Sequence, residues 1–513
     1  MSSIIKVDTI QDQAGNNIIS ESSNTITIGA SGDTVNVVGT LQNNGGSLAG
    51  VTFKEGGTNF TNSLLVGTSG TGTLSSADKN TGVGCQVLAA LTTGDDNTAI
   101  GRASLNGNTT GSSNVAVGSS ALNVNTTGAS NVAVGFSSLA ANTTASSNTA
   151  VGREALTTNT TGSSNTAVGK CTLKLTTTGI INTAIGTLTM CANTTGACNV
   201  AIGSNALRTN QTSSFNTAVG MNALRLNTAG NNTAVGFQAM CATTTGEENT
   251  AVGSASMITN TTGNANVALG FCAMKFNTTG CQNVAVGNVA LCKNTTACYN
   301  TAVGSEALKQ ITTGVSNTSV GYFSLFAATT GTGNAAVGVQ AGDSVTTGID
   351  NTLIGDHAGH AVTTGDDNVL LGHNAGTDAV RNVTTGDNEI VIGNNSNSAA
   401  FIKIDWTVTS DLRDKTEIAD VPYGLNFVNQ ITPIKYKFKT SREDETPTGF
   451  TRFGFKAQEI LALEGDNPIL VNNEDTDNLK LTGAYLIPVL VNAIKELKAE
   501  NDSLKTRIEA LES

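Results

Sequence analysis

A mainly β chain, wound as a long repetitive solenoid or β-roll rod and finished by a small α+β C-terminal domain, is the fold class this sequence predicts. Three observations predict it. A phrase of about seventeen residues recurs from Asn80 to Asn388; each copy opens on a short alternating segment held between turn formers; and the repetition stops before Asp411, where mixed sequence and then a heptad pattern take over.

The repeat comes first, because a fixed period of this length marks stacked units that each contact only their neighbours. "NVAVGSSALNVNTTGAS" from Asn114 is followed by "NVAVGFSSLAANTTASS" from Asn131 and "NTAVGREALTTNTTGSS" from Asn148. Nineteen units begin between Asn80 and Asn388, stepping by seventeen residues except for sixteen between Asn216 and Asn232 and twenty before Asn388. "N-T/V-A-V/I-G" is a brief strand. Its branched residues, such as Val115 and Val117, share one face and Ala116 takes the other. Glycine in the fifth place (Gly101, Gly118, Gly135) permits a backbone corner. The ninth place is a column of Leu105, Leu122, Leu139 and Leu156, with methionine at Met190, Met240, Met257 and Met274. "NTTG" supplies a second corner. The opening Asn is expected to hydrogen-bond to its copy one turn away. At about 4.8 Å per turn the coils would make a rod on the order of 90 Å long, thin enough that the small Ala face would need covering by other copies. Three chains around a common axis is the expected assembly.

Composition narrows the function. The net charge of -12 gives no electrostatic reason to expect nucleic acid or an anionic membrane as partner. No apolar run is long enough to span a bilayer, and "MSSIIKVDTIQDQ" lacks the pattern of a secretory signal. Aromatic residues are only 4%, too few for several large cores. The nine cysteines show no CxxC spacing and no nearby histidine, so they predict neither a metal site nor a cofactor; Cys281 and Cys298, one repeat apart, have the spacing to stack in adjacent turns, but the cysteines are read as buried thiols in a reducing compartment. His357, His360 and His373 cluster in the last full turns, where "AL" becomes "AG", and are read as solvated tip residues. The acidic residues of the repeats, such as Asp95, Asp96, Glu247 and Glu248, sit at coil corners and form no pair of the kind glycoside hydrolysis needs. The Thr-Thr pairs also sit at corners, which does not suit a flat ice-binding face.

Four segments follow: 1–79, β-rich and punctuated by Gly and Asn; 80–393, the repeat shaft; 394–410, a junction; and 411–513, which holds nearly half of all the charges. Within the last, "ITPIKYKFKT" alternates as a strand and "RFGFKAQEILAL" runs from strand into helix. From Leu486 to the end, Leu490, Ile494, Leu497, Asn501, Leu504, Ile508 and Leu511 fall on a and d positions of a short coiled coil. Isoleucine at a with leucine at d favours two strands in isolation, but the rod argues for three. Asn501 is the register device. The alternative is a plain amphipathic helix against the domain's own body.

Two resemblances extend this reading. The "NTAVG" and "NVAVG" units look like the head repeats of trimeric bacterial adhesins, over about residues 80–393. Within the first seventy-nine residues, "IIKVDTIQDQAGNNI" and "TITIGASGDTVNVVGTL" resemble the virion-attaching N-terminal ends of bacteriophage tail fibres; the alternative reading is a cap over the open end of the solenoid. More specifically, "SDLRDK" at 410–415, "FGFKAQEI" at 453–460 and "LIPVLVNAIKELKAE" at 486–500 resemble the C-terminal intramolecular chaperone of phage tail fibres and tailspikes, the self-releasing peptidase S74 type. The resemblance implies a homotrimer in the virion tail, attached through its N-terminus to tail or baseplate proteins. It also implies a receptor on the host surface, a glycan or an outer-membrane protein, with no membrane insertion. It further implies a catalytic dyad of Ser410 and Lys415, a scissile bond between Ser410 and Asp411, and no turnover enzyme beyond that self-cleavage. In the family the residue before the lysine is more often apolar, and here it is Asp414, whose carboxylate beside Lys415 is expected to slow the reaction unless it points away or pairs with Arg413. The competing readings are a tailspike-type depolymerase and a bacterial trimeric adhesin; the latter lacks a membrane-anchoring barrel.

Overall fold

The computed structural model describes the strand segments 9–11, 17–22, 25–28, 47–48 and 51–55, and residues 59–67, 73–378, 381–397, 410–439, 442–466, 468–473, 476–477 and 479–512. The chain divides into two compact units, Met1–Thr195 and Gly196–Ser513. In the first, Thr9–Gln11, Asn17–Ser22 and Thr25–Ile28 form an antiparallel sheet. Val51–Glu55 pairs antiparallel with Ser47–Leu48 and with Leu64–Gly67. The pairing then turns parallel, with Phe60 beside Ala77 and Leu64 beside Thr81. Coil register thus reaches back before Asn80, and Ser63 stands where later coils have their opening asparagine: its Oγ accepts the Asn80 amide at 2.8 Å.

Three-residue strands follow, from Thr81–Val83 to Thr183–Ile185 in the first unit and from Val200–Ile202 to Ile390–Ile392 in the second. Within each unit they pair parallel and in register, Val115 beside Val132 and Val267 beside Val284. The sixteen-residue step at Asn216 is present, with the Asn232 amide on Asn216 Oδ1. The last step is corrected from twenty residues to 21. Val369 pairs with Ile390, so Glu389 and not Asn388 takes the asparagine's place, its amide donating to Asn368 Oδ1 at 3.0 Å. Asn388 instead adopts φ 59, as Asp367 does one coil earlier with φ 56.

The two faces of the strand are reversed from the expectation. The central alanines (Ala99, Ala116, Ala133) are 0% exposed and point into their own coil, while the branched residues lie half-exposed outside. A coil this narrow has room inside for a methyl group, because the opposite wall already contributes a leucine. Leu105, Leu122 and Leu139 are also 0% exposed, and they reach that position at φ 48, 49 and 49. Left-handed backbone costs about 1–2 kcal/mol for such a residue, whereas full burial of leucine gains about 2–3 kcal/mol. Burial wins wherever the ninth place is leucine or methionine.

Stacking explains the glycine corner. At Gly135, φ is 136°, and an added Cβ would lie 2.5 Å from the carbonyl oxygen of Gly152 in the next coil. Only a column of glycines can pack there.

Asparagines satisfy the buried polar interior. Asn131 is fully buried, yet its Nδ2 donates to Asn114 Oδ1 at 3.1 Å and to the Ala145 carbonyl at 2.9 Å, and its Oδ1 accepts the Asn148 amide at 3.0 Å. The "NTTG" asparagines make a second buried ladder, Asn125 to Asn108 at 2.8 Å and Asn142 to Asn125 at 2.7 Å. The first threonine after them donates its hydroxyl to the equivalent carbonyl of the next coil, as Thr109 does to Thr126 at 3.0 Å.

Towards the end of the repeats the filling changes hands. Gly342, Gly359 and Gly376 replace the ninth-place leucine, and Leu353, Leu370 and Val391 replace the central alanine of the strand. The exchange is steric, since a Cβ at Gly342 would lie 2.4 Å from Leu353 Cδ1 and one at Gly376 2.7 Å from Leu370 Cδ1.

The C-terminal domain has its own small core: Phe427 from helix α1 (Leu425–Val428), Ile460 from helix α2 (Ala457–Glu464), Leu470, Val471, and Leu486 and Val489 from helix α3 (Leu486–Glu512). An antiparallel hairpin, Ile434–Lys439 with Pro447–Gly454, carries an irregularity between Tyr436 and Phe438. Pro488 is tolerated because it falls in the first turn of α3, where amide donors have no intrahelical acceptor.

Candidate functional site

Ser410 lies at the edge of a single turn of 3-10 helix, Leu412–Asp414. Asp411 caps that turn, its Oδ1 accepting the Arg413 amide at 2.9 Å, while the Arg413 guanidinium closes on the same carboxylate at 2.6 Å. The Arg413 side chain, then its amide, hold the Asp411 carboxyl below the ordinary carboxylate range, and Asp411 in turn raises Arg413. The turn folds Lys415 back, so that its Nζ donates to Ser410 Oγ at 2.7 Å. Five residues of sequence separation become one hydrogen bond because the 3-10 turn brings both ends of the segment to the same side. Asp414 does not intervene: among the described residues it makes no ion pair with Lys415, and Arg413 pairs with Asp411 instead. The slowing expected from Asp414 therefore has no contact behind it in this arrangement. Ser410, Asp411 and Lys415 are all exposed in the single chain.

Just beyond the Ser410–Lys415 pair, Glu417 and 419–423 line a groove of about 630 Å³ with Ile469, Leu470, Tyr485 and Val489. This segment is tied to α3, where Glu496 Oε2 accepts the Leu425 amide at 2.6 Å and Asn492 Nδ2 donates to the Tyr423 carbonyl at 3.0 Å. Burial, then the nearby Glu464 carboxylate, raise the Tyr423 hydroxyl. Glu464 organises the floor by accepting the amides of Ile469, Leu470 and Val471 at 2.8, 2.6 and 3.0 Å. Sequence reasoning missed Glu464 and Glu496, as a lone carboxylate, whether at the end of α2 or within α3, carries no distinguishing pattern.

Beyond its first turns α3 stands clear of the domain. Its buried residues are Leu486, Val489 and Ala493, whereas Ile494 is 65% and Leu511 86% exposed. Leu490, Leu497, Leu504 and Ile508 are likewise exposed, and so is Asn501. The apolar positions from Ile494 to Leu511 are not packed against the helix's own domain.

The histidines sit as a column of partners for two aspartates. The Asp356 carboxylate lies 3.1 Å from His357 Nδ1 and 3.5 Å from His373 Nε2, and His360 Nδ1 is 2.5 Å from Asp343. No cluster of three or more His, Cys, Asp or Glu among the described residues is arranged to hold a metal ion. Nor is any described helix long and apolar enough to cross a membrane. Asp95 and Asn264 serve stacking, accepting the amides of Asp78 and Glu247 from the preceding coil.

Residues 410–466 match the Peptidase S74 family, the chaperone of endosialidase. The match opens on Ser410 itself and includes Lys415, the hairpin and α2, with α3 lying beyond it. No curated protein and no solved structure matches the chain. A parallel β-solenoid followed by a chaperone-of-endosialidase segment is the architecture of a tail-fibre- or tailspike-like protein.

Proposed function

We propose that this chain is a bacteriophage tail fibre that contacts the host surface, trimerised by its C-terminal domain, which then releases itself by cutting between Ser410 and Asp411. The observation that carries the reading is the 2.7 Å contact of Lys415 Nζ with Ser410 Oγ at the first residue of the matched segment. A serine hydroxyl needs an adjacent base, and a lysine serves as one only when desolvation favours its neutral form. In the single chain both side chains face water. Apposed copies covering the dyad and the neighbouring groove would supply the desolvation, coupling cleavage to assembly. Cleavage consumes one water overall. Lys415 Nζ takes up the proton of the attacking oxygen and delivers it to the departing amine of Asp411, leaving a carboxylate at Ser410.

Two uncovered surfaces favour further copies of this chain as partners. The heptad residues of α3 form one. The other is the outer face of the coils, where every strand from Val83 to Ile392 ends on Val, Ile or Leu, with Ile100 42% and Ile354 44% exposed. A stripe with one branched residue per coil is matched along its length only by a partner of the same spacing, which another copy of the chain provides. This stripe takes the role first given to the alanine face.

Intact-mass measurement of the purified chain beside Ser410→Ala and Lys415→Ala, with light scattering, tests the proposal. A wild-type trimer ending at Ser410, with both variants uncut and trimeric, supports it. A trimer that stays full-length removes the self-cleavage, and a monomer removes the assembly.

A further inference from the structure

We propose that Cys281 and Cys298 form an oxidation site, in which a disulfide staples two neighbouring coils of the solenoid. The two cysteines occupy the same place in consecutive coils, two residues before Asn283 and Asn300. That place is a hydrogen-bond ladder elsewhere. The amide of one coil donates to the side chain of the next, Asp95 to Ser112 Oγ at 3.0 Å, Ser146 to Ser163 Oγ at 3.1 Å and Ile349 to Asp366 Oδ1 at 2.8 Å.

At the cysteine pair the same rung is made by sulfur, the Cys281 amide donating to Cys298 Sγ at 3.0 Å. The ladder therefore aims the Cys298 side chain along the stack towards Cys281. Equivalent backbone positions in neighbouring coils are about 4.8 Å apart, inside the Cα–Cα range of roughly 4.4–6.8 Å that a disulfide spans. The backbone register is held on both sides, by the Tyr299 amide on the Cys281 carbonyl at 3.2 Å and the Ser316 amide on the Cys298 carbonyl at 3.3 Å. No bond joins the two sulfurs in this structure.

The two side chains are also electrostatic neighbours. The hydrogen bond to Cys298, then partial burial, push the Cys281 thiol up to about 11. Cys298 Sγ itself accepts the Cys281 amide and lies 3.8 Å from the Thr296 carbonyl. Both residues are partly exposed, so a small reagent reaches them. Cys272 and Cys292 provide the contrast: both are buried, and burial, then the neighbouring Cys272, raise the Cys292 thiol.

With oxidised glutathione as oxidant, the Cys298 thiolate attacks one glutathione sulfur and breaks its S–S bond, releasing one glutathione thiolate. The Cys281 thiolate then attacks Cys298 Sγ of the mixed disulfide and displaces the second glutathione. Two protein thiols are oxidised, one glutathione disulfide is reduced to two thiols, and the protons lost by the cysteines are taken up by the departing glutathiones.

The test uses the folded full chain, oxidised glutathione as probe, and peptide mapping after alkylation. The expected product is a Cys281–Cys298 cross-linked peptide, about 2 Da lighter than the two thiol peptides together, formed at least about ten-fold faster than any Cys272–Cys292 link. Cys298→Ser should abolish it without disturbing the coil, since serine holds this same rung at Ser112, Ser163 and Ser214. Oxidised wild type should also unfold at a higher temperature than the dithiothreitol-treated protein, a difference absent in Cys298→Ser. If both thiols remain open to alkylation, or only glutathione adducts accumulate, the inference is overturned.

Discussion

Replacing Asn131 by alanine tests whether the asparagine ladder holds the coils together. The side chain makes three hydrogen bonds in a site sealed from solvent. Their loss is unequal. Asn114 Oδ1 keeps the Asn131 amide at 3.0 Å, and the Ala145 carbonyl keeps Asn142 Nδ2 at 3.0 Å. The Asn148 amide, however, loses its acceptor and has no water to replace it. One orphaned buried donor costs about 1–3 kcal/mol, and the two remaining bonds about 0.5–1.5 kcal/mol each, so a local loss of about 3–4 kcal/mol is expected. Because coils interact with their neighbours, the loss should be confined to the coils around 114–165. Hydrogen exchange on the full chain reads it directly: protection of the Asn148 amide should fall by at least about a hundred-fold, with distant coils little changed. Thr127→Ala, at an exposed corner, is the control and should stay within about 0.5 kcal/mol. Unchanged protection at Asn148 in the Asn131→Ala chain would refute the view that the ladder is structural.

Other outcomes follow from the same packing. Gly135→Ala should destabilise by about 3 kcal/mol, read as a lowered urea midpoint, because its Cβ meets the Gly152 carbonyl and its φ of 136 is closed to alanine. Gly342→Leu should clash with Leu353 and Leu353→Ala should leave a void, but the pair combined should cost about 1–3 kcal/mol less than the sum in a denaturation cycle. Asp411, whose folded pKa is lowered by Arg413, stabilises the turn above the ordinary carboxylate pKa and releases it as pH falls through the lowered value. The Arg413 amide resonance should report that transition, and Asp411→Asn should abolish it.

The period, the coil boundaries between Asn80 and Asn368 and the opening-asparagine ladder were legible in the sequence, because each is a statement about recurrence. Orientation was not. Alternation says that Val115 and Val117 share a face opposite Ala116, but not which face is inside; that depends on the leucine filling the lumen from the opposite wall. The second asparagine ladder was read as a corner, since Asn125 in "NTTG" fits a turn. The signal against it was in the same column, where Leu91, Ile311, Val345 and Val362 replace asparagine, as only an interior site would allow. Glu389 was overlooked for Asn388 because residue type was weighed above the position of the following strand. Ser410 and Lys415 were singled out in the sequence only through resemblance, and the 3-10 turn that brings them together depends on the Asp411 cap.

A stack of near-identical coils is open to misalignment by one whole coil. Shifting a strand by seventeen residues re-forms almost every rung, so within the uniform coils a growing edge has little energetic means of knowing how far along it is. The exchange of leucine for alanine at Leu353 and Leu370 removes that ambiguity, because a coil displaced there would set leucine against leucine instead of Gly342 or Gly359. The sixteen-residue coil at Asn216 and the long last step to Glu389 break the translational symmetry in the same way. These irregular coils act as phase marks. Those at Leu353, Leu370 and Glu389 lie nearest in sequence to the C-terminal domain, giving winding that starts from that end an unambiguous first coil from which the rest can be counted.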